Sequence, residues 1–167
     1  MEVYRIKGTI PGNKLFMREY LVQPEMTLYK FNDFLRDDLG FAPDQIVEFR
    51  KMTIFGNLSR QEERWGLFDL GSGALNQVSV SRAFGMEMGM IDEFTALRFV
   101  YNTSRELFID FKLVGVEEAQ PRRSYPLLDQ EKGVNPNQFS PVYNDLEDYG
   151  ASETGLGVVY DSGENNE

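Results

Sequence analysis

The stretch LRFVYNTSRELFIDFKL, residues 97–113, decides the fold class of this chain. Apolar and polar residues alternate on both sides of a polar turn at 102–105. A period of two along both halves predicts two antiparallel strands with one apolar face and one polar face. Such a hairpin is typical of a sheet that packs one side on a core and leaves the other side to solvent.

A similar alternation predicts a first hairpin over the first 23 residues. Pro11 and Gly12 fit the centre of its turn, because proline presets φ at the first central position and glycine tolerates positive φ at the second. A further strand is predicted at 46–52, and Ser79 is a candidate cap for a short helical turn. The loss of periodicity over 56–77 predicts a loop that exposes four apolar residues: Trp65, Leu67, Phe68 and Leu70.

Residues 28–39 carry the spacing of an amphipathic helix between the first hairpin and the third strand. Thr27 is a candidate N-cap, and Gly40 is a candidate left-handed C-cap. The apolar positions recur at intervals of three and four: Leu28, Phe31, Phe34, Leu35 and Leu39.

Together these elements predict an α+β fold: an antiparallel or mixed sheet built from two hairpins and a further strand, one main helix packed on one face, and an irregular C-terminal arm. We expect a body at 1–116 and a proline-containing extended arm at 117–143 that packs on the body. Residues 144–167 hold seven acidic and no basic residues, and so contribute most of the net charge of −10. That composition predicts an acidic, disordered tail.

The composition excludes several kinds of chemistry. The chain has no cysteine and no histidine, and therefore no disulfide, thiol nucleophile, imidazole base or His-ligated metal. Met86, Met88 and Met90 could offer thioethers to Cu(I), but methionine more often fills gaps in a core, and no metal or cofactor is predicted. No leader or membrane span is visible, so a cytoplasmic location is expected. The slightly acidic body disfavours nucleic-acid binding.

Several segments resemble a known family, the plasmid open-reading-frame-three-like proteins, which include insertion-element passengers named after resolvases. The likeness runs from about Val3 to Pro136. It includes FMREY at 16–20, where members carry W-R-R, the helix start Thr27-Leu28, and LGF at 39–41. The resemblance implies the family's scaffold, and we know of no established activity that it would imply.

The likeness fails where the family carries reactive side chains. The segment QIVEF at 45–49 lacks both histidines of H-L-H-E-F, and only Tyr101 remains of the Y-D-F-G-D-x-W-x-H block. The segments YPLL at 125–128 and GVNP at 133–136 lack the cysteines of Y-P-x-C and G-x-C-P. Either this chain has lost a chemistry that its relatives perform, or those positions are structural in the relatives too.

Two function hypotheses remain open. The first is a non-catalytic binding or protein-interaction module with an unidentified protein partner, in which Trp65, Tyr101 and the acidic tail contribute contacts, although the tail could equally serve solubility alone. The second is a carboxylate-based hydrolase or small-ligand-binding protein. It would use Glu48 and Asp110 as base or ligand and Arg18 as an anion clamp, and it requires these three side chains to converge in a pocket. The oligomeric state stays open, because an exposed sheet edge can pair between chains.

Overall fold

Seven strands, one main helix and two short helical turns make up the fold. The structure is a computed structural model that describes residues 1–53, 63–66, 74–85 and 95–140. In chain order the elements are β1 (Glu2–Ile10), β2 (Asn13–Val22), α1 (Leu28–Leu39), β3 (Glu48–Thr53), β4 (Arg64–Gly66), a 3₁₀ turn (Leu75–Gln77), α2 (Val80–Ala83), β5 (Thr95–Asn102), β6 (Leu107–Glu118) and β7 (Leu127–Lys132).

The strands form one sheet in the order β4-β3-β5-β6-β1-β2-β7. Every neighbouring pair of these strands is antiparallel. The predicted α+β class, with a helix on one face of a sheet, is therefore confirmed, and the sheet is antiparallel rather than mixed. The two hairpins form its centre, because β6 of the second hairpin lies beside β1 of the first.

Both predicted hairpins and their turns are present. Gly12 adopts a φ of 88° in the first turn, which is the left-handed conformation that favours glycine there. In the second turn the side-chain oxygen of Asn102 accepts a hydrogen bond from the backbone N–H of Arg105 at 3.1 Å. The turn chemistry expected from the sequence therefore closes both hairpins.

The helix α1 begins and ends at the predicted caps. The Thr27 hydroxyl accepts a hydrogen bond from the Lys30 backbone N–H at 3.2 Å, and Gly40 adopts a φ of 73° with its N–H bonded to the Arg36 carbonyl. A fully or nearly buried stripe faces the sheet: Leu28, Phe31, Leu35 and Leu39. At the short helix α2, Ser79 likewise accepts from the Arg82 backbone N–H at 3.1 Å, which confirms its predicted capping role.

Aromatic rings fill the space between α1 and the sheet. The Phe31 ring lies 6.0 Å from Phe49 and 5.5 Å from Phe111, and Phe49 stacks on Phe99 at 5.0 Å, measured between ring centroids. Because side chains alternate along a strand, the residues between these rings point to the other face of the sheet. That other face carries most of the charged strand residues.

Trp65 is buried in the core, so the prediction that it is exposed in a loop is wrong. It lies in β4 opposite Phe49 and is 0% exposed. The three-residue strand β4 is too short to show a period of two in the sequence, and pairing with β3 supplies the order that local propensity does not. The other apolar residues predicted to be exposed there, at 67, 68 and 70, lie outside the described residues.

The segment predicted as an extended arm contributes the edge strand β7, which pairs with β2. Its first residues, 117 and 118, still belong to β6. The boundaries of the body, arm and tail remain predictions. Residues 144–167 and the three methionines at 86–90 lie outside the described part of the chain.

Candidate functional site

The three side chains expected to converge in a pocket do not meet, so this prediction is wrong. Arg18 alternates with Phe16 and Tyr20, which belong to the core cluster on the α1 side of the sheet. Glu48 and Asp110 lie on the opposite face. These two carboxylates are themselves separated by β5, so strand spacing alone places their backbones about 10 Å apart.

Arg18 holds the chain beyond β7 against β2. Its side chain is 2% exposed, and its guanidinium donates to the carbonyls of Met17 at 2.8 Å, Lys132 at 2.6 Å and Gly133 at 3.0 Å. A fourth hydrogen bond reaches the side-chain oxygen of Asn135 at 2.8 Å. A buried guanidinium with this many carbonyl partners acts as a structural latch and not as a free anion clamp.

Glu48 and Asp110 are each paired with an arginine on the charged face. The Arg50 Nε donates to Glu48 at 2.8 Å, and its two terminal nitrogens donate to Glu106 at 2.9 and 3.0 Å. Arg98 binds both oxygens of Asp110, at 2.8 and 3.0 Å. Carboxylates held in this way stabilise the sheet and leave no pair arranged for acid–base chemistry.

A third group on the same face, the Arg5 cluster, joins four strands. The Arg5 guanidinium donates to Glu19 at 2.8 Å, to Asp129 at 2.8 Å and to Glu117. These hydrogen bonds lower the pKa of Glu117 and of Asp129 below their ordinary values, and the bond to Glu117 is the largest contribution that raises the pKa of Arg5. Because the acids lie on β2, β6 and β7, the cluster fastens both neighbours of β1 and the edge strand.

Concave sites lie elsewhere, beside α1, and one of them has a richer polar lining than the other. A cleft of about 140 Å³ opens between α1, the loop that follows it, and the chain near Gln138. We call it the α1 cleft. Its polar lining includes Asn32, Asp33, Arg36 and Gln45, and its apolar lining includes Phe41 and Phe99.

The amide of Asn32 is the unusual group in this cleft. Asn32 is 5% exposed, yet its side chain makes no hydrogen bond within residues 1–53, 63–66, 74–85 and 95–140. Within the described residues, the polar atoms that are closed off from solvent without a partner are Gln23 Oε1 and Trp65 Nε1, so the Asn32 amide still reaches the opening of the cleft, where a ligand could bind it. Gln23 lines a second cleft, of about 250 Å³, with Glu25, Met26, Thr27 and Lys30, and Trp65 lines neither of these two clefts.

The far wall of the cleft is held by a residue from the C-terminal arm. The Gln138 side chain accepts a hydrogen bond from the Ala42 N–H at 2.7 Å and donates one to the Ala42 carbonyl at 3.1 Å. The Asn102 amide donates to the Gln138 carbonyl at 2.9 Å. This residue therefore fixes the loop after α1 in place.

Tyr101 lies behind the cleft and not in it. It is 1% exposed, and its ring stacks on Phe41 with centroids 4.7 Å apart. It supports the apolar wall from the core side. Of the five residues singled out from the sequence (Arg18, Glu48, Trp65, Tyr101 and Asp110), none lines the cleft.

Sequence reasoning missed Asn32, Arg36 and Gln138. A signal for Asn32 exists: it stands four residues after Leu28 and three before Leu35, so a polar amide occupies the apolar stripe of α1. Gln138 carries no such signal, because its partner Ala42 is 96 residues away.

Two kinds of site receive no support from the described residues. They contain no group of three or more Asp or Glu residues that could hold a metal ion. No helix among them has both the length and the apolar character required to cross a membrane.

The fold is similar to that of a solved structure. It is a protein of unknown function, MM3350 from Methanosarcina mazei Go1, with a TM-score of 0.67 and 16% sequence identity, over 88% of this chain and 78% of that chain. At this identity the likeness shows a shared fold alone. No protein-family model matches the sequence, and no curated protein matches it.

Proposed function

We propose that this protein is a non-catalytic binding module and that the α1 cleft holds the group it recognises. The amide of Asn32 in the wall of that cleft carries the proposal, because the residue is only 5% exposed and its side chain makes no hydrogen bond within the described part of the chain. A polar side chain that the fold leaves unpaired at the opening of a cleft can orient a bound group.

The size of the cleft limits what it can hold. A closed cavity of about 150 Å³ accommodates a benzene molecule, whereas sites for cofactors and drug-sized ligands have about 300–1,000 Å³. At about 140 Å³ the α1 cleft suits a single small ring or one side chain of a partner protein. This size supports recognition of a small group and not of a nucleotide cofactor.

The side-chain inventory supports binding without catalysis. The chain contains neither histidine nor cysteine, and the two strand carboxylates expected to act as catalysts, Glu48 and Asp110, are bound to arginines. We further propose that the chain is a divergent member of the plasmid open-reading-frame-three-like family. The support for membership is the set of matching framework segments, including Thr27-Leu28 and the LGF segment at 39–41.

The first test asks whether Asn32 serves binding or stability. We expect Asn32→Leu to keep or raise the unfolding free energy, by at most about 1 kcal/mol, because leucine has the same branched shape and the amide that it replaces makes no hydrogen bond with the described residues. Helix propensity contributes about 0.4 kcal/mol of this gain, which Asp37→Leu at an exposed position of α1 measures separately. Asn13 is a buried amide that does have a partner, the Leu15 N–H at 3.2 Å, so Asn13→Leu should destabilise the protein.

The second test measures binding directly. Two-dimensional NMR titration with a library of small fragments should shift resonances around the α1 cleft in the wild type and leave them unshifted in Asn32→Leu. If Asn32→Leu destabilises the protein as Asn13→Leu does, the amide is structural and the proposal fails. It also fails if no fragment perturbs the cleft.

A further inference from the structure

Arg36 presents unused hydrogen-bond donors to the α1 cleft. Within the described residues its guanidinium has one charged contact, with Asp33 at 3.1 Å from a single terminal nitrogen. A guanidinium has five N–H donors in a planar fork, so most of them have no protein partner. The Arg36 side chain is 29% exposed, and it lines the cleft.

Asn32 and Arg36 are neighbours on one face of α1. They are four residues apart, which places their side chains side by side along the helix. The N–H donors of the Asn32 amide and of the Arg36 fork therefore border the same opening, while Phe41, Val47 and Phe99 supply an apolar wall. The arrangement combines a cationic fork, a neutral amide and space for one small apolar body.

We infer that the α1 cleft binds a carboxylate attached to a small apolar or aromatic group, with Arg36 and Asn32 holding the carboxylate. This inference rests on the proposed function, since it names the chemistry that the cleft recognises. A planar carboxylate matches the guanidinium fork with two parallel hydrogen bonds, which a neutral amide or a cation cannot reproduce. The Asn32 N–H can then donate to the same carboxylate.

The cleft favours an anion over a cation, because Asp33, the one acidic residue in its wall, already contacts Arg36. Asp33 is countered by Arg36, and its side chain is 42% exposed, more than that of Arg36. A bound cation would compete with Arg36 for this carboxylate. A bound anion can use the guanidinium donors that the single contact with Asp33 leaves open.

Three probes of similar size test the inference: benzoate, benzamide and benzylamine, each titrated into the full chain and followed by NMR. For a ligand of nine heavy atoms we expect a Kd of about 1 mM for benzoate. Benzamide and benzylamine should bind at least tenfold more weakly. N-acetylphenylalanine and its amide form a second pair, which shows whether a carboxylate at a peptide end is accepted as well as a free acid.

The variant Arg36→Gln removes the positive charge and keeps a polar side chain at the same position of the cleft. It should weaken benzoate binding at least tenfold and leave the weak binding of benzamide unchanged. Lys7→Gln, which removes an exposed cation on β1 that lines neither the α1 cleft nor the second cleft, should change neither. Equal binding of benzoate and benzamide, or stronger binding of benzylamine, would overturn the carboxylate inference and leave the cleft as a binding site. Absence of binding by every probe would overturn both the inference and the proposed function. Benzoate binding that survives Arg36→Gln would show that the fork is not the receptor.

Discussion

Arg18→Met should loosen the edge of the sheet, because it removes the latch between β2 and the chain beyond β7. The substitution deletes four hydrogen bonds from a cation that is 2% exposed. Each contributes about 1 kcal/mol net, and water can replace part of this at the exposed residues Gly133 and Asn135. We therefore expect a loss of about 3 kcal/mol. Methionine keeps an unbranched stem that can still pack on Phe16.

For a chain of this length, about 3 kcal/mol corresponds to a fall in Tm of roughly 6–12 °C. Thermal unfolding followed by circular dichroism measures this, and the fluorescence of Trp65, the sole tryptophan, gives a second probe at the opposite edge of the sheet. Hydrogen exchange should accelerate in β7 more than in β3. This pattern would distinguish release of the edge from uniform destabilisation.

Arg98→Met is the matched control, because Arg98 also makes two short hydrogen bonds from a strand but is partly exposed and pairs with a single carboxylate. Its loss should cost about 1 kcal/mol. A Tm for Arg18→Met within about 2 °C of the wild type, with unchanged exchange in β7, would refute the assignment of Arg18 as a latch.

Two further predictions concern packing and pH. Gly8→Ala should destabilise the protein by about 1–2 kcal/mol in urea unfolding, because the added Cβ would lie 2.6 Å from the buried Phe111 ring. The control Gly115→Ala has open space around the added carbon and should be neutral or slightly stabilising. Equal stabilities of the two variants would contradict this prediction. The Arg5 cluster lowers the pKa of two carboxyls from ordinary values of 4.5 and 3.8, so its stabilisation is present above those values and is lost as pH falls through the lower folded values. The difference in unfolding free energy between wild type and Arg5→Met should therefore shrink below about pH 4, and a difference that stays constant down to pH 2 would show that the cluster is not responsible.

Local features of the sequence were sufficient to predict the hairpins and the helix. Pro11 and Gly12 define a turn, and Thr27 and Gly40 define helix ends, through interactions within a few residues. Trp65 was misplaced because its strand is three residues long and depends on pairing with β3. Order that comes only from a partner strand leaves no period in the sequence.

The alternation in β2 indicates that the Arg18 side chain faces the core, but its charge favoured the interpretation that it faces a ligand. Arg18 stands between Phe16 and Tyr20 at the same parity, so strict alternation places it on the core side of β2. An arginine in that position was interpreted as a ligand-binding group, whereas the structure gives it carbonyl partners. The α1 cleft could not be predicted, because its wall depends on Ala42 and Gln138, which meet only when the chain has folded.

The buried polar residues favour the α1 cleft over the charged face as the proposed binding site. Within the described ranges, seven polar or charged side chains are buried, and six of them have partners: Asn13, Arg18, Glu48, Thr95, Asn102 and Gln138. Asn32 is the exception in this set. The two fully enclosed polar atoms without a partner among the described residues, Gln23 Oε1 and Trp65 Nε1, lie outside the α1 cleft, whereas the Asn32 amide reaches its opening and is accessible to a ligand. On the charged face Glu48, Asp110 and the acids of the Arg5 cluster are already bound to arginines, and a ligand there would have to break existing ion pairs. In the α1 cleft a ligand would supply the hydrogen bonds that the fold itself leaves unmade.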